Sequence, residues 1–151
     1  MLAKLKTKSL LLLLLLIALP FAAQAIVSAP SVPNPVLHFT GKENVKQGEK
    51  NFVHYHFDVL NKDRFPAEMF AAAPDLPPCG MNTKSSRTWI DLYDQTGKRL
   101  YGFCAISKPA DLNQLYFALE EGVTPPSWIY IEMNDRQTNT RYKSNLAETT
   151  N

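Results

Sequence analysis

Three histidines, two cysteines and a set of tyrosines and tryptophans are the residues here with chemistry to offer. His54 and His56 stand two apart in a run that alternates apolar and polar side chains, and Asp58 follows on the same parity. On a strand, residues i and i+2 share a face and lie roughly 7 Å apart, close enough to share a metal ion. His38 has the same outward parity in the preceding apolar segment if Leu37 and Phe39 point inward. Pairing of these segments would gather three imidazoles, His38, His54 and His56, a donor set suited to copper or zinc. The competing reading is a solvated sheet face on which histidine and aspartate alternate.

Cys79 and Cys104 are the only thiols, and a count of two allows one connectivity. There is no C-x-x-C and no cysteine–histidine cluster at ligand spacing, so a reactive dithiol or a cysteine metal site has no support. The pair is expected to form a structural disulfide, which on the chain-entropy model would stabilise the fold by about 3.5 kcal/mol. Catalytic signatures are missing. No G-x-S-x-G, H-E-x-x-H or glycine-rich phosphate loop occurs, and the six glycines are scattered singly. Glu120 and Glu121 adjoin a proline turn and read as solvated carboxylates. No enzyme activity and no cofactor are expected.

Residues 1–25 read as a secretory signal peptide. Lys4, Lys6 and Lys8 form a basic region, Leu10 to Leu19 is unbroken apolar sequence, Pro20 breaks it, and Ala23-Gln24-Ala25 is a small-x-small cleavage site. Val27-Ser28-Ala29 offers a second such site. The apolar run spans about 15 Å as a helix, half a bilayer core, which disfavours a membrane anchor. The expected protein is therefore exported, periplasmic or secreted, with no membrane contact after cleavage, and its cysteines meet an oxidising compartment. The leader holds three of the 16 basic residues, leaving 13 against 14 acidic ones, a formal charge of −1. Near neutrality removes the electrostatic basis for nucleic-acid binding.

Eleven prolines, eight phenylalanines and six tyrosines favour a loop-rich all-β chain. Residues 26–34, rich in proline, form an extended lead-in. Val36 to Thr40 is a short strand, and Gly41 to Lys50 is polar turn sequence. Asn51 to Asn61 is the clearest strand, with Val53, Tyr55, Phe57 and Val59 on one face. Thr88–Tyr93 and Arg99–Ile106 form a hairpin across Asp94–Lys98. Leu112–Leu119, Trp128–Met133 and a short strand from Arg141 complete seven, and residues 147–151 are expected to be a disordered tail. The pattern is that of a β-sandwich over residues 35–146. The strand of Tyr55, Phe57 and Val59, the Trp89 hairpin, and Pro125-Pro126 leading into Trp128-Ile129-Tyr130 resemble immunoglobulin and fibronectin type III-like domains. The resemblance implies a seven-stranded, immunoglobulin-like antiparallel sandwich and no particular function. Cys79 departs from it, since it lies in a loop and not in the second strand.

Charge sets the parity of the hairpin and the sixth strand. If Asp91 faces water, so do Trp89 and Tyr93; Glu132 likewise carries Trp128 and Tyr130 outward, and Arg99 carries Tyr101 and Phe103. Six rings would then line one outer face, a surface able to stack on a sugar or an apolar protein partner. The alternative is that residues 62–87, with Phe65, Phe70, Leu76 and Pro77, lie over this face and bury it as a second core. That segment also holds Leu76-Pro77-Pro78-Cys79-Gly80, stiff enough to present itself to a protease as an inhibitor loop. The expectation is a non-catalytic binding or accessory module whose partner is a protein or carbohydrate. Metal binding and protease inhibition are the alternatives.

Overall fold

The computed structural model describes residues 31–81 and 83–150. The expected signal peptide and residues 26–30 of the lead-in lie outside the described residues. Within residues 31–34 there is no regular structure, although Val32 packs partly against the core.

Eight strands form two antiparallel sheets. The first has the order β1 (Leu37–Gln47), β2 (Lys50–Val59), β5 (Leu115–Glu120). The second has the order β4 (Arg99–Phe103), β3 (Thr88–Asp94), β6 (Trp128–Asp135), β7 (Thr140–Lys143), with β8 (Ala147–Glu148) also paired to β6. The all-β, two-sheet architecture expected from the alternating runs is therefore present, with eight strands in place of seven. Period-two patterning explains the core. Tyr55, Phe57 and Val59 of β2, Ile90 and Leu92 of β3, and Ile129, Ile131 and Met133 of β6 are all buried. Each such side chain contributes roughly 1.5–3 kcal/mol on leaving water.

Several boundaries differ from expectation. The strand from Arg99 ends at Phe103 and not at Ile106, and Leu112 lies in a 3-10 turn, Pro109–Asn113, so that β5 starts only at Leu115. Two further differences are larger. Strand β1 does not stop at Thr40. It passes a bulge between Phe39 and Gly41 and runs on to Gln47, so that only Gly48 and Glu49 turn. Gly48 takes φ 63°, the positive value that a two-residue hairpin loop admits at its first position. Residues 42–47 look like a turn because an edge strand with little behind it carries charge, which also deters edge-to-edge pairing. The expected disordered tail is likewise ordered through Thr150. Ala147 pairs with Ile129 and is buried, and the Thr149 amide donates to Ser127 O at 3.0 Å. Strands β7 and β8 occupy successive stretches of one edge of β6. The gap between them is closed by Ser144, whose hydroxyl accepts from the Ile131 amide at 2.9 Å.

The long apolar loop has two 3-10 turns, Lys62–Arg64 and Ala67–Phe70. They insert Phe65, Met69 and Phe70 into the same core cluster as the strands. No second core is built from them; their apolarity serves the interior. The loop returns as a β-bridge between Ala72 and Ser86 and is tied down by the Cys79–Cys104 disulfide, with Cα atoms 5.4 Å apart.

Candidate functional site

Register puts Trp89, Asp91 and Tyr93 of β3 on the same face as Asn134, Glu132 and Tyr130 of β6. This is the outer face of the second sheet, and Trp89, Tyr93, Trp128 and Tyr130 carry the outward parity expected of them. The rings there are interleaved with charge. Tyr93 and Tyr130 stack at 5.2 Å, and Lys143 Nζ lies 3.9 Å from the Tyr130 ring centroid. Tyr130 is only 9% exposed as a result. Arg136 lies 4.7 Å over Trp89, whose indole nitrogen donates to Ser86 O at 3.0 Å. Arg99 Nε donates to Asp91 Oδ1 at 2.6 Å across the middle of the face. Burial, then the charges of Asp91 and Glu132, push the Tyr93 hydroxyl up. Trp128 is the open member, 41% exposed at the strand end.

Tyr101 and Phe103 do not belong to this face. The pairing slips between Leu92 and Tyr93: Tyr93 faces Arg99 and Leu92 faces Tyr101, leaving Leu100 as an extra residue. One inserted residue reverses the parity of everything after it. Tyr101 and Phe103 thus share the side of Leu92 and Ile90. Gly102 takes the outer position beside Asp91, and Arg99 folds over it. A Cβ on Gly102 would collide with the Arg99 guanidinium and stand 2.8 Å from Asp91 Oδ1.

Because β4 is an edge strand, its two inward rings reach past the interior to Tyr116 on β5, the edge of the other sheet. Tyr101 and Phe103 lie 5.5 and 5.9 Å from Tyr116 and 5.0 Å from each other. Hydrogen bonding with the Tyr116 side chain, then burial, pushes the Tyr101 hydroxyl up. Tyr116 is directly opposite His56 in the β2–β5 register, and it stacks on His54 at 4.9 Å. His56 lies 5.9 Å from Tyr116 and 6.1 Å from His54. Five rings from three strands therefore form one continuous patch over the seam between the sheets. Tyr101 is 40% exposed and the other four rings are half-buried. Tyr116 was not among the expected site residues. Its signal was present in the alternation of Leu115, Phe117 and Leu119, which leaves Tyr116 facing outward.

The three imidazoles do not converge. His38 pairs with Asp58, and Gly41, not a histidine, stands opposite His56. Among the described residues no three of His, Cys, Asp and Glu are assembled to hold a metal ion. His54 and His56 are brought together, and Glu43 Oε2 approaches His56 Nε2 to 3.6 Å. The Nε2 atoms of both histidines are shielded from solvent and have no hydrogen-bond partner.

A cleft of 450 Å³ opens between Ala71–Leu76 of the loop and the side chains of Arg87 and Arg136. Arg87, one of its lining residues, donates to both Asp135 oxygens at 2.8 and 2.5 Å. That pairing, with hydrogen bonds from Thr138 and Gln137, lowers the Asp135 carboxyl to about 2 against the opposing effect of burial. Pro77, Pro78 and Gly80 of the stiff loop are exposed beside the cleft.

No protein-family model, curated protein or solved structure matches this chain. The ring patch and the cleft therefore rest on their own geometry. Among the described residues, no helix is long and apolar enough to cross a membrane.

Proposed function

We propose that this chain is a non-catalytic binding module, working outside the reducing cytosol, that engages its partner through the rings of Tyr101, Phe103, Tyr116, His54 and His56. The carrying observation is their continuity: five rings form one row across two sheets, with the Glu43 carboxylate beside His56 at one end. Partly exposed rings in such a row offer stacking faces, and a sugar ring is a ligand chemistry that fits them. Glu43, at the rim beside His56, adds a hydrogen-bond acceptor of the kind a sugar hydroxyl uses.

The sandwich itself is read as immunoglobulin-like, in support of a binding role. The strand orders β1-β2-β5 and β4-β3-β6-β7, with β8 added on β6, support that reading, since a constant-type domain whose fourth strand moved to the other sheet would have the same order without β8. The disulfide supports export, since such bonds persist in oxidising compartments.

The test is a panel of neutral and acidic oligosaccharides titrated into the isotope-labelled protein. Binding should shift the side-chain resonances of Tyr101, Tyr116 and His54 together, and Tyr101→Ala should weaken it. A ligand that instead shifts Trp128 and Tyr93, or a panel without effect, would remove this reading.

A further inference from the structure

We propose that His54 and His56 form a two-imidazole chelate for a borderline divalent transition metal, Zn(II) or Cu(II), with the Glu43 carboxylate alongside. The chelate does not depend on the ring patch having a macromolecular or sugar partner. Three observations carry it. First, both histidines sit on β2, which is hydrogen-bonded to β1 on one side and to β5 on the other through this stretch. The backbone is therefore fixed, and the two side chains project from one face with ring centroids 6.1 Å apart. Tyr116 stacks on His54 within 15° of parallel and so restricts its orientation.

Second, the Nε2 atoms of both rings are shielded from water and have no hydrogen-bond partner. Buried polar atoms are normally satisfied, and each exception calls for an explanation. A metal ion, which takes the Nε2 lone pair at about 2.0–2.1 Å, would supply one for both at once. Third, the surroundings suit an ion. Glu43 Oε2 lies 3.6 Å from His56 Nε2, an oxygen donor close to the imidazole lone pair. On the β1 side of His56 the neighbour is Gly41, and nothing stands within 4 Å of where its Cβ would be, which leaves room for bound water. Imidazole donors select zinc, copper and nickel over magnesium and calcium. With no third protein ligand already in place among the described residues, water would complete the coordination and the affinity will be moderate.

The experiment uses the mature chain without an affinity tag. Zn(II) is titrated calorimetrically, and Cu(II) is added substoichiometrically to labelled protein. One saturable site is expected. His54→Ala and His56→Ala should each weaken it by about tenfold or more, while His38→Ala leaves it unchanged. In the unmodified protein, Cu(II) should broaden the His54 and His56 ring resonances before any others, a readout independent of whether the variants fold. Retention of the site in the His54→Ala/His56→Ala double variant, broadening centred elsewhere, or the absence of saturable binding would each overturn the proposal.

Discussion

On the outer face of the second sheet the rings are interleaved with charge: Lys143 lies over Tyr130, Arg136 over Trp89 and Asp91 near Tyr93. Over the β5–β4 seam, rings touch rings. Both surfaces are aromatic, but the energetics differ. A ring capped by a cation contributes to the fold through cation–π attraction and through the apolar stems it covers. A ring that is partly open and touches only other rings holds less together, and its free face is available to something else. Aromatic content alone therefore does not identify a binding surface; what lies on the rings does.

The largest test of this contrast is at the end of the second sheet, where Arg87 and Asp135 pair. The Asp135 side chain is 3% exposed and the Arg87 side chain 23%. Asp135→Ala leaves a guanidinium without its partner and unties the Gln137 and Thr138 amides, so it should cost about 3–5 kcal/mol in urea denaturation. A loss below about 1 kcal/mol would mean that the pair behaves as a solvated surface bridge.

Acid gives a second view of the same pair. The folded-state value of Asp135, about 2, lies below the ordinary carboxylate value, so its contribution is present above the unfolded value and is lost as pH falls through the folded one. Unfolding followed from about pH 5 down to about pH 2 should show about 2 kcal/mol of stability disappearing through this group. Asp135→Asn should flatten the acid limb by that amount. An unchanged limb would assign acid sensitivity to other carboxylates.

Truncations sharpen the comparison of the faces themselves. Tyr130→Ala removes a nearly buried ring sandwiched between Tyr93 and Lys143, and should cost about 2 kcal/mol. Tyr101→Ala, on the seam patch, removes a ring 40% exposed and should cost less than about 1 kcal/mol. Equal losses would erase the distinction between a structural aromatic face and a free one.

Much of the fold was legible because alternation was uninterrupted. Alternation puts Tyr55 and Phe57 on one face of β2, and outward-facing Asp91 and Glu132 leave Ile90, Leu92, Ile129, Ile131 and Met133 pointing inward; all seven are buried. The site was less legible. The bulge at Leu100 inverts Tyr101 and Phe103, and a bulge leaves no mark in hydrophobic patterning. The available signal was Gly102, since a glycine inside a strand marks a bulge or a close approach; here it admits Arg99. Strand β1 past Gly41 was hidden because an edge strand with polar residues on both faces has the composition of a turn. Strand β8, two residues long, has no period to read. The seam patch joins two sheets, so no reading of single strands could assemble it.

The smallest expected effect concerns the two tryptophans at opposite ends of the second sheet's outer face. Trp128 is 41% exposed, whereas Trp89 is half-buried, lies under Arg136 and has its indole N–H bonded to Ser86 O. Acrylamide should quench Trp128 more efficiently, and Trp128→Phe should remove most of the quenchable, red-shifted emission. Trp89→Phe should leave it. Arg136→Ala should raise quenching of Trp89 without altering Trp128, because only the former ring loses its cover. If both tryptophans quench alike in the unmodified protein, the guanidinium does not shield the ring in solution. The charged cap would then no longer separate this face from the seam.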